Sequence, residues 1–332
     1  MGLSHPLHII IIISAVVFQI ITMGVQIWAM DNYDITREWY KEAVVGSSYF
    51  SIEYGPPKWL VLLVWAMVYV YQILWTVYVL STLWRKTPLS DERLYYRPYF
   101  MPLSMYVALL ISLLFRLSWV AILPNCNAFC PVLQLGATLT MAVALAVSLR
   151  ALVAEAGSLY RLGLYRDVTI VRALTHNGFA LYATWELIDL TISTSGVMVR
   201  AGYSQKDSYV TMLGILGLLL VVYILLDVPV LDVYLRYLLT PYFVFCFYCI
   251  AIITDHTDSG MVYVTAAIIL AIAFLGLCFK LAVIVVRKRY APEPILFADR
   301  PPKRDRNTRR SPTRAPTRAP VGGAGAVAVA YI

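Results

Sequence analysis

The chain is built from apolar runs, each about the length that a hydrocarbon slab demands. Eight can be marked: residues 7–29, 59–84, 99–123, 131–153, 172–199, 209–227, 235–254 and 261–286. About 20 apolar residues span a bilayer as a helix, because every backbone group must then be satisfied within the segment. Composition agrees, with 60% hydrophobic residues and only 14% charged, where soluble domains have about 25% charged. The expected fold class is therefore all-α, a polytopic membrane helix bundle of about eight transmembrane helices over residues 1–290. The sixth and seventh runs are separated only by a short polar hinge carrying Asp227, Pro229, Asp232 and Arg236.

Charge places the loops. Loops that stay cytoplasmic retain Lys and Arg. Loops 85–98 and 150–172, the hinge and the tail from Arg287 onward hold twenty basic residues, and the alternate loops hold five: Arg37, Lys41, Lys58, Arg200 and Lys206. Eight spans with both termini cytoplasmic fit this bias at every loop, in the plasma membrane or an endomembrane. A variant keeps the same loop sides: cleavage of the first segment near Ala29 would leave seven spans. Against it, MGLSHP has no Lys or Arg ahead of a long apolar run.

Residues 30–58 form an external acidic and aromatic loop, in which Trp39, Tyr40, Tyr49, Phe50 and Tyr54 suit an interfacial cap or a plain aromatic belt. Cys126 and Cys130 bracket a short external turn and are a disulfide candidate, the alternative being two free thiols. Residues 291–332 read as a disordered, basic, Pro/Arg-rich cytoplasmic tail. Its arginines should attract anionic lipids, and phosphorylation at Ser311, Thr313 or Thr317 would weaken that attraction.

The helices differ in kind. The fourth carries Gly136, Thr140, Ala144 and Ser148 at four-residue spacing, a small-residue stripe that admits a close neighbour; a homo-oligomer stays open. The second is crowded with aromatics. Trp59 and Trp84 sit at belt depth, while Trp65, Tyr69, Gln72 and Trp75 lie deeper. Those four are either tight packing or the wall of a pocket for a flat apolar ligand.

Two stretches carry a resemblance. GPPKWLVLLVWAMVYVYQILWTVYVLS (55–81) resembles the Pro-x-x-Trp…Trp-x-x-x-Tyr…Trp signature of the tryptophan-rich sensory protein (translocator protein, or peripheral benzodiazepine receptor) superfamily. The closer likeness is to its long multi-span branch. There a later helix reads Asn-Gly-apolar-x-x-Tyr-x-x-Trp, matched here by Asn177, Gly178, Tyr182 and Trp185. The resemblance implies binding of a small, largely apolar ligand, tetrapyrrole or sterol-like, by Pro57, Trp59, Trp65, Tyr69 and Trp75, with Asn177, Tyr182 and Trp185. The chain departs from the short members by having about eight spans rather than five. It also departs by placing Glu186 and Asp189 after Trp185.

Charges inside a span face the bundle interior, pair with one another and mark functional sites. Lys280 is close enough to the cytoplasmic end to snorkel. Arg116 lies about 10 Å and Asp189 about 15 Å below the outer helix ends at 1.5 Å per residue, which makes Arg116–Asp189 the expected intramembrane ion pair. Glu186, a turn deeper, has no evident cation. It would be protonated, bonded to a neighbouring hydroxyl, or set in a hydrated cavity as in a proton- or cation-coupled carrier; the plainer reading is a polar network that fixes packing.

The sequence has no H-E-x-x-H, P-loop or G-x-S-x-G. The four histidines (His5, His8, His176 and His256) are scattered over both sides. No enzymatic role, metal, cofactor or nucleic-acid partner is expected. The expected function is binding or transport of a small, largely apolar ligand in an aromatic-lined site with buried carboxylates, composed of Trp65, Tyr69, Gln72, Trp75, Tyr182, Trp185 and Glu186. The other readings are a seven- or eight-span signalling receptor, or a structural adaptor. The chain lacks the D-R-Y and N-P-x-x-Y of the common receptor type.

Overall fold

A computed structural model of the chain describes residues 5–31, 56–88, 92–122, 129–227, 230–257 and 260–290. Every regular element among them is helical. In chain order they are α1 (His5–Asp31), α2 (Lys58–Trp84), α3 (Leu103–Ile122) and α4 (Phe129–Arg161). Then come α5 (Tyr165–Ile170), a π turn (Val171–His176) and α6 (Asn177–Arg200), running on without a break. The chain continues through α7 (Gln205–Asp227), α8 (Asp232–Leu235), α9 (Thr240–Asp255) and α10 (Gly260–Tyr290).

By length and composition, six helices are fit to cross a membrane: α1, α2, α3, α4, α7 and α10. The other two expected spans fall on helices of a different kind. α6 has 24 residues, but Glu186 and Asp189 lower its apolarity. α9 is strongly apolar but has only 16 residues, about 24 Å at 1.5 Å per residue. The expected bounds also move: the helical path into α6 begins at Tyr165 rather than residue 172, and α4 ends at Arg161 rather than residue 153.

The burial pattern is that of a bundle immersed in an apolar medium. Ile10, Ile20, Val77, Leu218, Leu225, Leu275 and Val285 point outward, while Gln19, Gln134, Glu186, Asp227 and Lys280 are buried. In lipid, apolar side chains lose nothing by facing out, and polar ones must find partners inside. α6 can carry acids because it is interior. It touches α2, α4, α7 and α9, and thirteen of its residues are buried. The α3–α4 seam is close at Gly136, where an added Cβ would stand 2.9 Å from the Phe115 ring. There Ser112 also donates to the Ala137 carbonyl at 2.9 Å. Ser148, at the other end of the small-residue stripe, meets His176 Nε2 at 3.1 Å.

The polar hinge is a charge cluster. Lys280 does not snorkel. Its side chain is wholly buried and its Nζ lies 2.5 Å from Asp227 Oδ1. α7 ends beside it, so the nearest charge to the ammonium is a carboxylate rather than the interface. Tyr242 donates to Asp227 Oδ2 at 2.7 Å. Asp232 accepts from Arg236 at 2.9 Å and also from Arg287. Asn177 fastens the following loop. Its Nδ2 donates to the Arg172 and Tyr237 carbonyls at 2.8 and 2.9 Å, and its Oδ1 accepts from the Leu239 amide at 3.0 Å. A second anchor joins α2 to α5, where Arg85 clasps Asp167 with bonds of 2.7 and 2.8 Å and Tyr78 donates to the same carboxylate at 3.1 Å.

Cys130 is disulfide-bonded; Cys126, the aromatic loop residues from Trp39 to Tyr54 and the whole tail 291–332 lie outside the described residues. Cys246, Cys249 and Cys278 are free.

Candidate functional site

Glu186 and Asp189 stand three residues apart on one face of α6, with Tyr182 a turn earlier on the same side. Arg116 reaches that face from α3. Its Nη1 is 3.2 Å from Glu186 and 3.3 Å from Asp189 Oδ2. The guanidinium is thus shared, and Glu186, for which the sequence offered no cation, holds half of it. A guanidinium carries five donors in a planar fork and can serve two acids at once; helix geometry puts residues 186 and 189 within its reach together. Exposure is 5% for the Arg116 side chain, 0% for Glu186 and 18% for Asp189, so Asp189 is the edge of the site that is open to its surroundings.

Two indoles flank the cation. Arg116 Cζ lies 4.6 Å from the Trp65 ring centroid on α2 and 4.3 Å from that of Trp119 on α3, within the range of a cation–π contact. Trp65 is packed against Tyr69 at 5.7 Å and meets Tyr182 edge-on at 5.9 Å. Tyr69 donates across to Gln26 Oε1 of α1 at 3.2 Å. The box therefore draws one wall from each of four helices.

Its hydrogen bonding is incomplete. Glu186 Oε1, Tyr182 Oη, Gln26 Nε2, Arg116 Nε and Trp119 Nε1 are buried without a hydrogen-bond partner. Glu186 Oε1 is at ion-pair distance from Arg116 but off the angle that a hydrogen bond requires. Tyr182 nonetheless lies close enough to interact with both Gln26 and Glu186, which leaves Arg116 Nε and Trp119 Nε1 as the two of these five without an acceptor.

Trp75 and Gln72 belong to an adjoining cavity. It is lined by Gln19, Tyr71, Gln72, Trp75, Phe179 and Tyr182 among others, and its cavity volume is about 10 Å³, room for a single water. Trp75 packs on Phe179 at 5.5 Å and on Tyr106 at 6.1 Å. The aromatic wall expected from the sequence is thus two groups, Trp65–Tyr69 and Gln72–Trp75, with Tyr182 touching both. Trp185 is fully buried deeper on α6, its indole N–H without an acceptor. The stretches that carry the family resemblance pack on each other, with Gly178 letting Tyr71 approach to where a Cβ would be 3.3 Å away.

Sequence reading missed Trp119, Gln19 and Gln26. Trp119 follows Arg116 by three residues, and that spacing signals a shared face. The signal in α1 is periodic: His8, Ile12, Ala15, Gln19, Thr22 and Gln26 recur at alternating three- and four-residue steps, and all six are buried. Among the described residues, no group of three or more His, Cys, Asp or Glu side chains could hold a metal ion.

Comparison with protein-family models, with curated proteins and with solved structures finds no match to this chain.

Proposed function

We propose that the chain is an eight-span, multi-pass membrane protein with both termini on the cytoplasmic side, and that the box around Arg116 binds or carries a small, largely apolar ligand bearing a positive charge. The observation that carries this reading is the charge count: two carboxylates face one guanidinium in an aromatic enclosure. Arg116 occupies the place that a ligand cation would take, between two indoles and over two acids, and a competing cation would find both kinds of partner already arranged. The acidic surplus disfavours a ligand with carboxylates of its own, which ranks organic cations above tetrapyrroles. The Arg116 and Glu186 side chains are only 5% and 0% exposed, so a ligand reaches them only if the helices part. The likeness of Trp65, Tyr69, Tyr182 and Trp185 to the tryptophan-rich sensory protein pattern supports an apolar ligand at this depth.

The test is binding to the purified protein in neutral detergent. A tetraphenyl-substituted phosphonium ion should raise the thermal midpoint saturably, and its uncharged tetraphenyl isostere should not. Glu186→Gln should preserve folding and weaken phosphonium binding about tenfold, which is 1.4 kcal/mol. No shift with the phosphonium, a tetrapyrrole or a sterol sinks ligand binding altogether. Equal shifts from the charged and neutral probes sink the role of the carboxylates.

A further inference from the structure

α1 and α2 run in opposite directions. Gln26, near the end of α1, accepts from Tyr69 in the first half of α2, while His8, near the start of α1, packs against Tyr95 beyond the end of α2 at 5.6 Å. Gln19 precedes Gln26 by about 10 Å of helix and Trp75 follows Tyr69 by about 9 Å, at 1.5 Å per residue. Register therefore sets Gln19 level with Trp75, and both line the cavity of about 10 Å³ described above. We propose that this cavity is a built hydration site, in which one water molecule joins the Trp75 indole to the Gln19 amide and so forms a second polar tie between α1 and α2.

Both ends of the tie are prepared. Trp75 Nε1 and Gln19 Oε1 are buried without a hydrogen-bond partner in the protein, and each residue is 1% exposed. An indole nitrogen only donates and an amide oxygen only accepts, so whatever joins them across the cavity must accept from one and donate to the other. A metal cation or an ammonium cannot accept from the indole, and a halide cannot donate to the amide. Water does both, and the cavity volume is that of one water. A buried water makes about three bonds; Gln72 and Tyr182, which also line the cavity, carry polar groups for the third.

The surrounding medium makes such a tie matter. α1 turns Ile10, Ile13, Val17, Ile20 and Ile21 outward, and lipid supplies no hydrophobic force to press an apolar helix onto the bundle. A polar group left bare in that seam costs free energy, whereas the same group bonded to water becomes a fastening. α1 also brings Gln26 to the Arg116 box through Tyr69, so the water holds one wall of that box in place whatever the box binds.

The experiment uses the full chain with nitrogen-15 indoles in perdeuterated neutral detergent, and reads dipolar cross-peaks from each indole N–H to water by NMR. Trp185 is the internal control, because its Nε1 is also buried without a partner but the residue does not line this cavity. Trp75 should show a cross-peak to a long-lived water and Trp185 should show none. Gln19→Met, which keeps the length and removes the acceptor, should abolish the Trp75 cross-peak. In thermal midpoint, Gln19→Met with Trp75→Phe should fall little further than the worse single variant, since either change alone loses the water. A density map of the unsubstituted protein should place a water about 3 Å from both atoms, a readout that does not depend on any variant folding. No water at Trp75, an equal cross-peak at Trp185, a Trp75 cross-peak that survives Gln19→Met, or additive losses in the double variant would each overturn the proposal.

Discussion

Lys280 Nζ of α10 lies 2.5 Å from Asp227 Oδ1 at the end of α7, and neither side chain has any exposed surface. The pair joins two helices at the hinge, and Tyr242 of α9 adds a third through its bond to the other carboxylate oxygen. Removing one partner of a buried pair leaves an uncompensated charge and costs about 3–5 kcal/mol, whereas replacing both by neutral groups is often nearly neutral. Asp227→Asn and Lys280→Met should each lower the thermal midpoint sharply in detergent. The double variant should recover more than half of the loss. Additive losses in the double variant would show that the two charges do not depend on each other.

Asn177 is expected to hold the hinge loop rather than the ligand box. Besides its bonds to Arg172, Tyr237 and Leu239, its main-chain carbonyl accepts from Thr240 Oγ1 at 2.9 Å. Asn177→Ala orphans several buried groups, each worth about 1–3 kcal/mol. Hydrogen exchange at the Leu239 and Thr240 amides should accelerate in that variant well before exchange in α3 changes. Asn177→Asp keeps the acceptors but sets an acid against two carbonyls, so it should be no better than Ala. Unchanged exchange at 239 and 240 in Asn177→Ala would remove the loop-holding role.

Two glycines should respond in opposite directions to the same methyl group. At Gly276 an added Cβ would sit 2.8 Å from Ile224 and 2.9 Å from Tyr242, but at Gly214 it would meet nothing within 4 Å. Gly276→Ala should cost about 1–3 kcal/mol by overpacking, and it presses on the tyrosine that steadies Asp227. Gly214→Ala should gain up to about 1 kcal/mol from helix propensity. Thermal midpoints of the two single variants, measured side by side, check both signs.

Much of the helical framework was legible because spanning length is a physical constant. An apolar run near 20 residues announces itself whatever its neighbours, and each marked run lies largely within a helix. What the sequence concealed is pairing. Asp227 and Lys280 are 53 residues apart, and nothing in either local stretch says that the ends of α7 and α10 meet; Lys280 alone looks like a snorkelling lysine. Arg116 was legible as a partner for Asp189 because their depths could be compared. Its sharing with Glu186 depends on the side-chain fork reaching over a helical turn, and depth alone does not resolve that. The polar stripe of α1 was readable by period but was masked by the high apolarity around it. The π turn left no local signal, since VRALTH has the composition of ordinary helix.

That π turn sets a phase. In an unbroken α-helix each residue advances about 100°. Glu186, nineteen residues beyond Asp167, would then stand about a quarter-turn away from it. A π turn absorbs about one residue's rotation, which returns Glu186 to the side of the helix from which Asp167 meets Arg85 and Tyr78 of α2. One continuous helical path therefore offers an acid to Arg85 of α2 near one end and, farther along, Tyr182 to Trp65 of α2 and Glu186 to Arg116 of α3. The position of six residues at 171–176 thus acts as a tuning slide for chemistry more than two helical turns away.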